Sequence, residues 1–358
     1  MKPRSLSDIK NRMRLQIFII VSIALMLGSS AYSQTDYTVS YYPLIYRAES
    51  AIVDNYITEA LGNYRSAFRS VDRIFAIDLV NATVCAIKLD SVSLAIDLLQ
   101  LLILKGISEA YLNEFDGFKE IRGSKEWIEL LASYDTLRSS VQFNDRLFVE
   151  LDSLSEADQK FRLAPGSYSK YGDTISKIDQ SNIIFLREVI EKYGFPNEHI
   201  LGAEYPQISF PSEIVLHHHC QSMSIDKSGT KFNFESDFYQ AIQNGDLDPH
   251  RMAQLIGMQG QYAPKIGQNT IIYLSLNGST SQPFREKVNQ DMISIIDENR
   301  ALAGLESQTD YYHKAVFKLL DSRASDYEFK RYEQTETYDV DEPTYNKLLN
   351  ALEPINIR

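Results

Sequence analysis

Phe210-Pro-Ser-Glu-Ile-Val-Leu-His-His-His-Cys-Gln221 is the stretch whose reading decides the rest of the chain. As a strand it would put His217 and His219 on one face. As a helix opened by Pro211 and Ser212 it puts Ile214, Val215 and His218 on one face, because residues three and four apart sit on adjacent turns. We take the helical reading, and a histidine aimed at a core then needs a partner. Adjacent histidines on a helix point about 100° apart, so no two of them grip one ion. No His-x3-His or carboxylate-plus-two-His spacing lies near, and no metal or other cofactor is expected. Cys220 beside the histidines lacks a strand-turn-helix elbow or a Gly-rich oxyanion loop, which argues against a Cys/His nucleophile.

Moving outward, Leu147, Leu151, Leu154, Asp158 and Phe161 recur at helical spacing, and so do Asp179, Asn182, Leu186, Val189 and Tyr193. Gly194-Phe-Pro196 stops the second of these helices, and Pro165 to Gly172 before it reads as a loop. Phe284, Val288, Met292, Ile295, Asn299 and Leu302 predict one apolar face of a helix over Phe284–Ala303. Asp158, Asn182, His218 and Asn299 therefore each interrupt an apolar stripe of a different helix. A buried polar group without a partner costs ~1–3 kcal/mol, so four of them in one helical domain are expected to meet. Arg162, one turn after Asp158, is the natural charge partner. Helices are also expected near Phe234–Gln243, Pro249–Met258 (with Asp248 as N-cap) and Tyr311–Leu320. Thr270-Ile-Ile-Tyr-Leu274 is the one strand-like run.

Upstream, Ala60-x3-Tyr64-x2-Ala67 has small-aromatic-small spacing, with Ala48 on the helix before it. Ala82 recurs 34 residues after Ala48, and Ala95-x3-Leu99-x2-Leu102 answers the first motif. This pattern over about residues 41–137 resembles tetratricopeptide repeats in two degenerate units, with Glu126-Trp-Ile-Glu-Leu-Leu131 as a closing helix. The resemblance implies stacked helix pairs offering a surface to a protein or peptide.

The second region carries another resemblance. Asp158-Gln159-x-x-Arg162, Asp179-x-x-Asn182, Tyr193-Gly-Phe-Pro196 and Gly202 follow the order of an uncharacterised bacterial domain family. That family opens with Asp-Gln-x-x-Arg, has a helix ending in Gly-Trp-Pro, and then a Gln-His pair on an apolar helix. His218 matches the family histidine, and His217 replaces the glutamine. Ile296-Asp-Glu-Asn-Arg-Ala-Leu-Ala-Gly-Leu305 resembles the family's close, which brings Arg300 into the candidate set. The match covers about residues 143–317. It departs at Ile256-Gly-Met258, where the family has an Asp-Arg pair, and at Ile266-Gly-Gln268, where it has Tyr-Gly-x-Gln. The candidate binding residues are therefore Asp158, Arg162, Asn182, His218 and Arg300.

At the start of the chain, Lys2, Arg4, Lys10, Arg12 and Arg14 precede Leu15–Gly28, a mostly apolar run of 14 residues. Ala31 and Ser33 then offer small residues for cleavage before Gln34, the pattern of a signal peptide over 1–33. As a helix, that run spans only ~21 Å of a ~30 Å bilayer core. A periplasmic or secreted protein is expected, with no stable membrane anchor after cleavage. Losing five basic residues and Asp8 takes 36 basic and 48 acidic residues to 31 and 47, a formal charge of −16. That argues against nucleic acid as a partner.

The expected architecture is mainly α. Residues 34–140 form tetratricopeptide-like pairs packed against a helical domain at 141–320 with at most one short strand pair. A polar tail follows at 321–358, ordered only in part. The expected role is an exported, non-catalytic protein- or ligand-binding protein, with a small ligand at the His218 cluster. The alternative is a hydrolase in which Asp158 polarises His218 as general base.

Overall fold

Alanine sets how closely the first helices approach. In a computed structural model, residues 35–206, 210–211, 213–225, 232–257, 266–267, 270–276, 279–280, 282–330 and 334–355 are described. Residues 1–33, read above as a signal peptide, lie outside them. Helices α1 (Tyr42–Val53) and α2 (Ile57–Ser70) turn on Asn55, whose φ of 63° is a left-handed value that asparagine tolerates. Ala48, Ala60, Tyr64 and Ala67 are fully buried between packed helices, so an added side-chain atom there would force the backbones apart. Helices α3 (Ala76–Lys88) and α4 (Val92–Leu104) repeat the arrangement around Ala82, Ala95, Leu99 and Leu102. The helix Lys125–Ala132 packs on α4 and buries Trp127 and Leu130.

Helix α5 (Asp145–Arg162) begins at Asn144, whose side chain accepts the Leu147 amide, and buries Leu147, Leu151 and Asp158. Helix α6 runs over Ser167–Tyr193, earlier than expected. The segment read as a loop is mostly helical, with one non-helical residue at Tyr171. Gly194, at φ 79°, terminates α6 in a conformation that disfavours other residues. Helix α7 (Glu213–Ile225) packs on both α5 and α6. Its most buried residues are Glu213, Val215, Leu216, His219 and Cys220, while Ile214 and His218 lie at the rim. The core-facing ridge of α7 is thus turned about one residue from the expected stripe. Cys85 and Cys220 are buried thiols that form no disulfide.

Helices α8 (Glu235–Gln243) and α9 (Pro249–Gly257) follow, and Asp248 caps α9 by accepting the His250 amide. Among the described residues five short strands form one sheet, more than the single strand pair expected. Strand β1 (Thr270–Leu276) pairs antiparallel with β2 (Ser279–Thr280) and β3 (Phe284–Glu286), with Ile272 opposite Phe284. The helix expected over Phe284–Ala303 is therefore shorter. Phe284 is in β3, and α10 (Gln290–Leu302) starts at Asn289, whose side chain caps it. Its buried face is also not the expected one. Met292, Ile295 and Leu302 are 43%, 49% and 75% exposed, whereas Ile296 and Arg300 are buried. The helix turns this way because Arg300 satisfies its guanidinium on backbone carbonyls inside the fold, donating to Glu306 O and Ile266 O.

Helix α11 (Gln308–Leu320) packs on α1. The segment from Asp321, expected as a partly ordered tail, is built into the fold. Tyr327, Phe329 and Lys330 are buried. Asn81 on α3 hydrogen-bonds both the N–H and the C=O of Glu328. Strand β4 (Gln334–Asp339) pairs parallel with β1, setting Thr270 opposite Gln334. Helix α12 (Glu342–Ala351) and β5 (Leu352–Pro354) complete it, β5 pairing antiparallel with β3. Ile272, Leu274, Phe284 and Leu352 make a small core under Tyr345, Leu348 and Leu349.

The fold is thus mainly α. Asp36–Arg358 forms one compact unit, and one apolar core runs from Tyr37 to Ile355. Among the described residues no helix is long and apolar enough to cross a membrane.

Candidate functional site

Four of the charged and polar residues singled out by pattern meet where α5, α6 and α7 pack. Asp158 Oδ2 lies 2.7 Å from His218 Nδ1 and accepts from Gln159 at 2.8 Å. Asp158 Oδ1 accepts from Arg162 Nη1 at 2.8 Å. Arg162 also donates to Asp158 O, to both oxygens of Asp179 at 2.8 Å, and through Nε to the Tyr168 hydroxyl. A guanidinium has five N–H groups, and all five are used here. Burial would lower the Arg162 pKa, but hydrogen bonding to Asp179 and the charge of Asp158 raise it. Asn182, buried on α6, instead donates to Leu154 O of α5 at 3.3 Å. The arrangement fixes three helices against one another and leaves Arg162 no donor for a ligand.

Arg300 lies elsewhere, in a second and larger cluster that the sequence reading did not assemble. Its guanidinium sits over the Tyr311 ring and 3.7 Å from Glu306 Oε2. Glu306 accepts from His250 Nε2 at 2.8 Å and from Lys314 at 2.7 Å. Lys314 reaches Glu49 on α1 at 2.6 Å. On the other side, Lys330 joins Asp78 on α3 at 3.1 Å and Asp248 at 3.2 Å. Asp78 also accepts from the Tyr41 hydroxyl at 2.6 Å. Burial penalises each charge. The countercharges nonetheless hold Glu306 and Asp248 below the usual carboxylate range and raise Lys314 and Lys330. For Glu49 and Asp78 burial prevails, and their pKa values rise. Burial also works against a charged His250, yet Glu306 raises its pKa above the ordinary value. Glu49, Asp78, Asp248 and Glu306 thus face Arg300, Lys314, Lys330 and the His250 ring.

One signal for this cluster was present in the sequence. Asp78 is a lone charge in Ala76-Ile-Asp-Leu-Val-Asn-Ala-Thr-Val-Cys-Ala-Ile87, a run buried at every position. Glu49 similarly lies between Ala48 and Ala51 on a buried face. Lys330 carries no such mark.

Beside this cluster is a cavity of roughly 380 Å³ between α3, the segment before α7, the α9 N-terminus and the chain near Phe329. Phe75, Ile77, Phe148, Phe210, Leu247 and Phe329 give it apolar walls. Its polar wall carries Glu198, Glu213, Asp246 and Asp248, with Arg251 and Lys330 among them. Most of these groups are paired from behind. Glu198 accepts from Lys105 at 2.8 Å and from the Ala76 amide at 2.9 Å; burial would raise its pKa, but Lys105 lowers it. Asp246 is held by Arg73 at 2.7 Å and Asn197 at 3.0 Å. Glu213 is 5% exposed, and its Oε1 contacts Arg251, but its Oε2 has no hydrogen-bond partner among the described residues. None of Asp158, Arg162 or His218 lines this cavity. Among the described residues no group of three or more His, Cys, Asp or Glu could hold a metal ion.

No family model matches the chain, and neither does any curated protein or solved structure.

Proposed function

We propose that this chain is an exported, non-catalytic binding protein whose small ligand occupies the cavity beside Glu213 and Asp248. The observation that carries the reading is the cavity itself, which has the size of an ordinary ligand pocket, apolar walls and a few convergent polar groups. The saturated Arg162 supports moving the ligand away from the His218 cluster, which then serves to fix helix packing. The signal-like segment 1–33 supports export to the periplasm or medium, and the tetratricopeptide-like helix pairs support a protein or peptide partner. A hydrolytic role for His218 would draw on its 2.7 Å contact with Asp158, but that pair borders no part of the cavity.

The test is a ligand screen by isothermal titration on the protein and on Leu201→Trp, which fills the cavity wall. Binding is expected in the first and lost in the second, with circular dichroism unchanged. Equal binding by both would move the ligand elsewhere, and no binding by either would remove the reading.

A further inference from the structure

We propose that the cavity takes an organic ammonium, with its apolar body among Phe75, Phe210 and Phe329 and its charged nitrogen against Glu213. The inference rests on the binding reading above and names its ligand class.

Both cations on the polar wall already face acids of the fold. Lys330 is buried between Asp78 and Asp248, with its ammonium 4.3 Å from the centre of the Phe75 ring. Arg251 is held by Glu213 and Gln254. His250 donates to Glu306. An anionic ligand would therefore meet four carboxylates against two cations, Lys330 and Arg251, each already paired with an acid.

The acceptors differ. Glu213 Oε2 is buried without a hydrogen bond, whereas Asp248 Oδ2 already faces the Lys330 ammonium at 3.2 Å. One carboxylate oxygen on a residue that lines the cavity thus calls for a donor, and a buried acceptor left unpaired is costly. An ammonium supplies up to three N–H groups and a charge opposite to the wall. Phe75, Phe210 and Phe329 offer it apolar and ring surface, and the Lys330–Phe75 contact shows that a cation already sits against this wall. The acidic chain as a whole also concentrates cations near its surface.

The same chemistry can come from a free amine or from a lysine side chain in a peptide. The experiment titrates the purified protein with phenethylamine, 2-phenylethanol and 3-phenylpropionate, which share a body and differ in head group. N-acetyl-Phe-Lys-amide is the peptide arm. We expect phenethylamine or the peptide to bind at least about tenfold more tightly than the alcohol, or about 1.4 kcal/mol, and the acid to bind least. Glu213→Gln should reduce the amine's affinity by a similar factor, and its thermal unfolding reports whether it folds. If that variant does not fold, the amine-to-alcohol ratio in the unaltered protein carries the test. Alcohol or acid binding as tightly as the amine overturns the ammonium inference and leaves the cavity reading standing. Unchanged amine affinity in a folded Glu213→Gln overturns the role given to Glu213. No binding by any of the four overturns the cavity reading as well. Which of the two amine arms binds identifies the source of the ammonium.

Discussion

The Asp158 cluster and the Glu306 cluster are both buried and both charged, yet they are assembled from opposite distances. Asp158, Gln159 and Arg162 come from one helix, and Asp179 and His218 from its two neighbours. The Glu306 cluster draws Glu49 and Asp78 from the first helices, Asp248 and His250 from α9 and its cap, and Lys314 and Lys330 from beyond α10. The first cluster tightens three adjacent helices. The second joins segments hundreds of residues apart. What they teach together is that a buried charge can be local in sequence or architectural, and that only the architectural one borders the cavity.

The comparison breaks most readily at Lys314. Lys314→Met leaves Glu49 and Glu306 buried without their shared cation, and breaking a buried pair in this way costs ~3–5 kcal/mol. Urea unfolding should show that loss; a change under about 1 kcal/mol would mean the second cluster holds nothing together. In the first cluster Asp158→Asn keeps the shape and removes the charge facing Arg162. The expected cost is about 1.5–3 kcal/mol, the range for a hydrogen bond to a charged group, with Arg162 still held by Asp179.

Two histidines give the stability a pH window. His250 faces Glu306, with Asp248 3.5 Å from Nδ1, Lys314 across Glu306, and the Tyr46 and Tyr311 rings against it. Its folded pKa is raised, so its contribution is complete below about pH 6.5 and is lost as pH rises through the raised value. His199 is the reverse. Burial, then Lys105 beside Nδ1, lowers its pKa to about 4, so its contribution is present above about pH 6.5 and lost as pH falls toward 4. Thermal unfolding from pH 4 to 9 should therefore peak near neutrality. His250→Gln should flatten the alkaline limb and leave the acid limb; an unaltered alkaline limb would deny His250 its proton.

The smallest effect belongs to α10. Ile295→Gln should change stability by no more than about 0.5 kcal/mol, since the side chain faces solvent. A large loss on chemical denaturation would restore the face that the pattern suggested.

Legibility followed the same division. Asp158 and Arg162 are one turn apart on a periodic stripe, so their pairing could be read from spacing, and the interrupting His218 pointed to the same interior. Arg300 was recognisable as a residue of interest, but its nearest carboxylate is Glu306, round a turn, and its other acceptor is the Ile266 carbonyl. Neither has a spacing that a helix pattern reveals. The stripe through Met292, Ile295 and Leu302 misled because apolar residues on a surface look the same as apolar residues in a core. Strand β4 was missed because Thr335-Glu-Thr-Tyr-Asp339 is polar, and its parallel partner β1 lies some sixty residues away with nothing local to mark the pairing. The cavity was invisible for the same reason, since its walls come from at least five separate segments.

The grip of Asn81 and Asp78 on residues 328–330 bears on how the chain folds as it is made. The acids Glu49 and Asp78 leave the ribosome early, whereas their cations Lys314 and Lys330 emerge more than 230 residues later. At ~5–20 residues per second, that is on the order of ten seconds or more during which the first helices can pair but cannot neutralise their interior. A nascent chain halted before residue 314 would thus keep its first helix pairs open to water, and their final closure waits for the last third of the sequence to arrive.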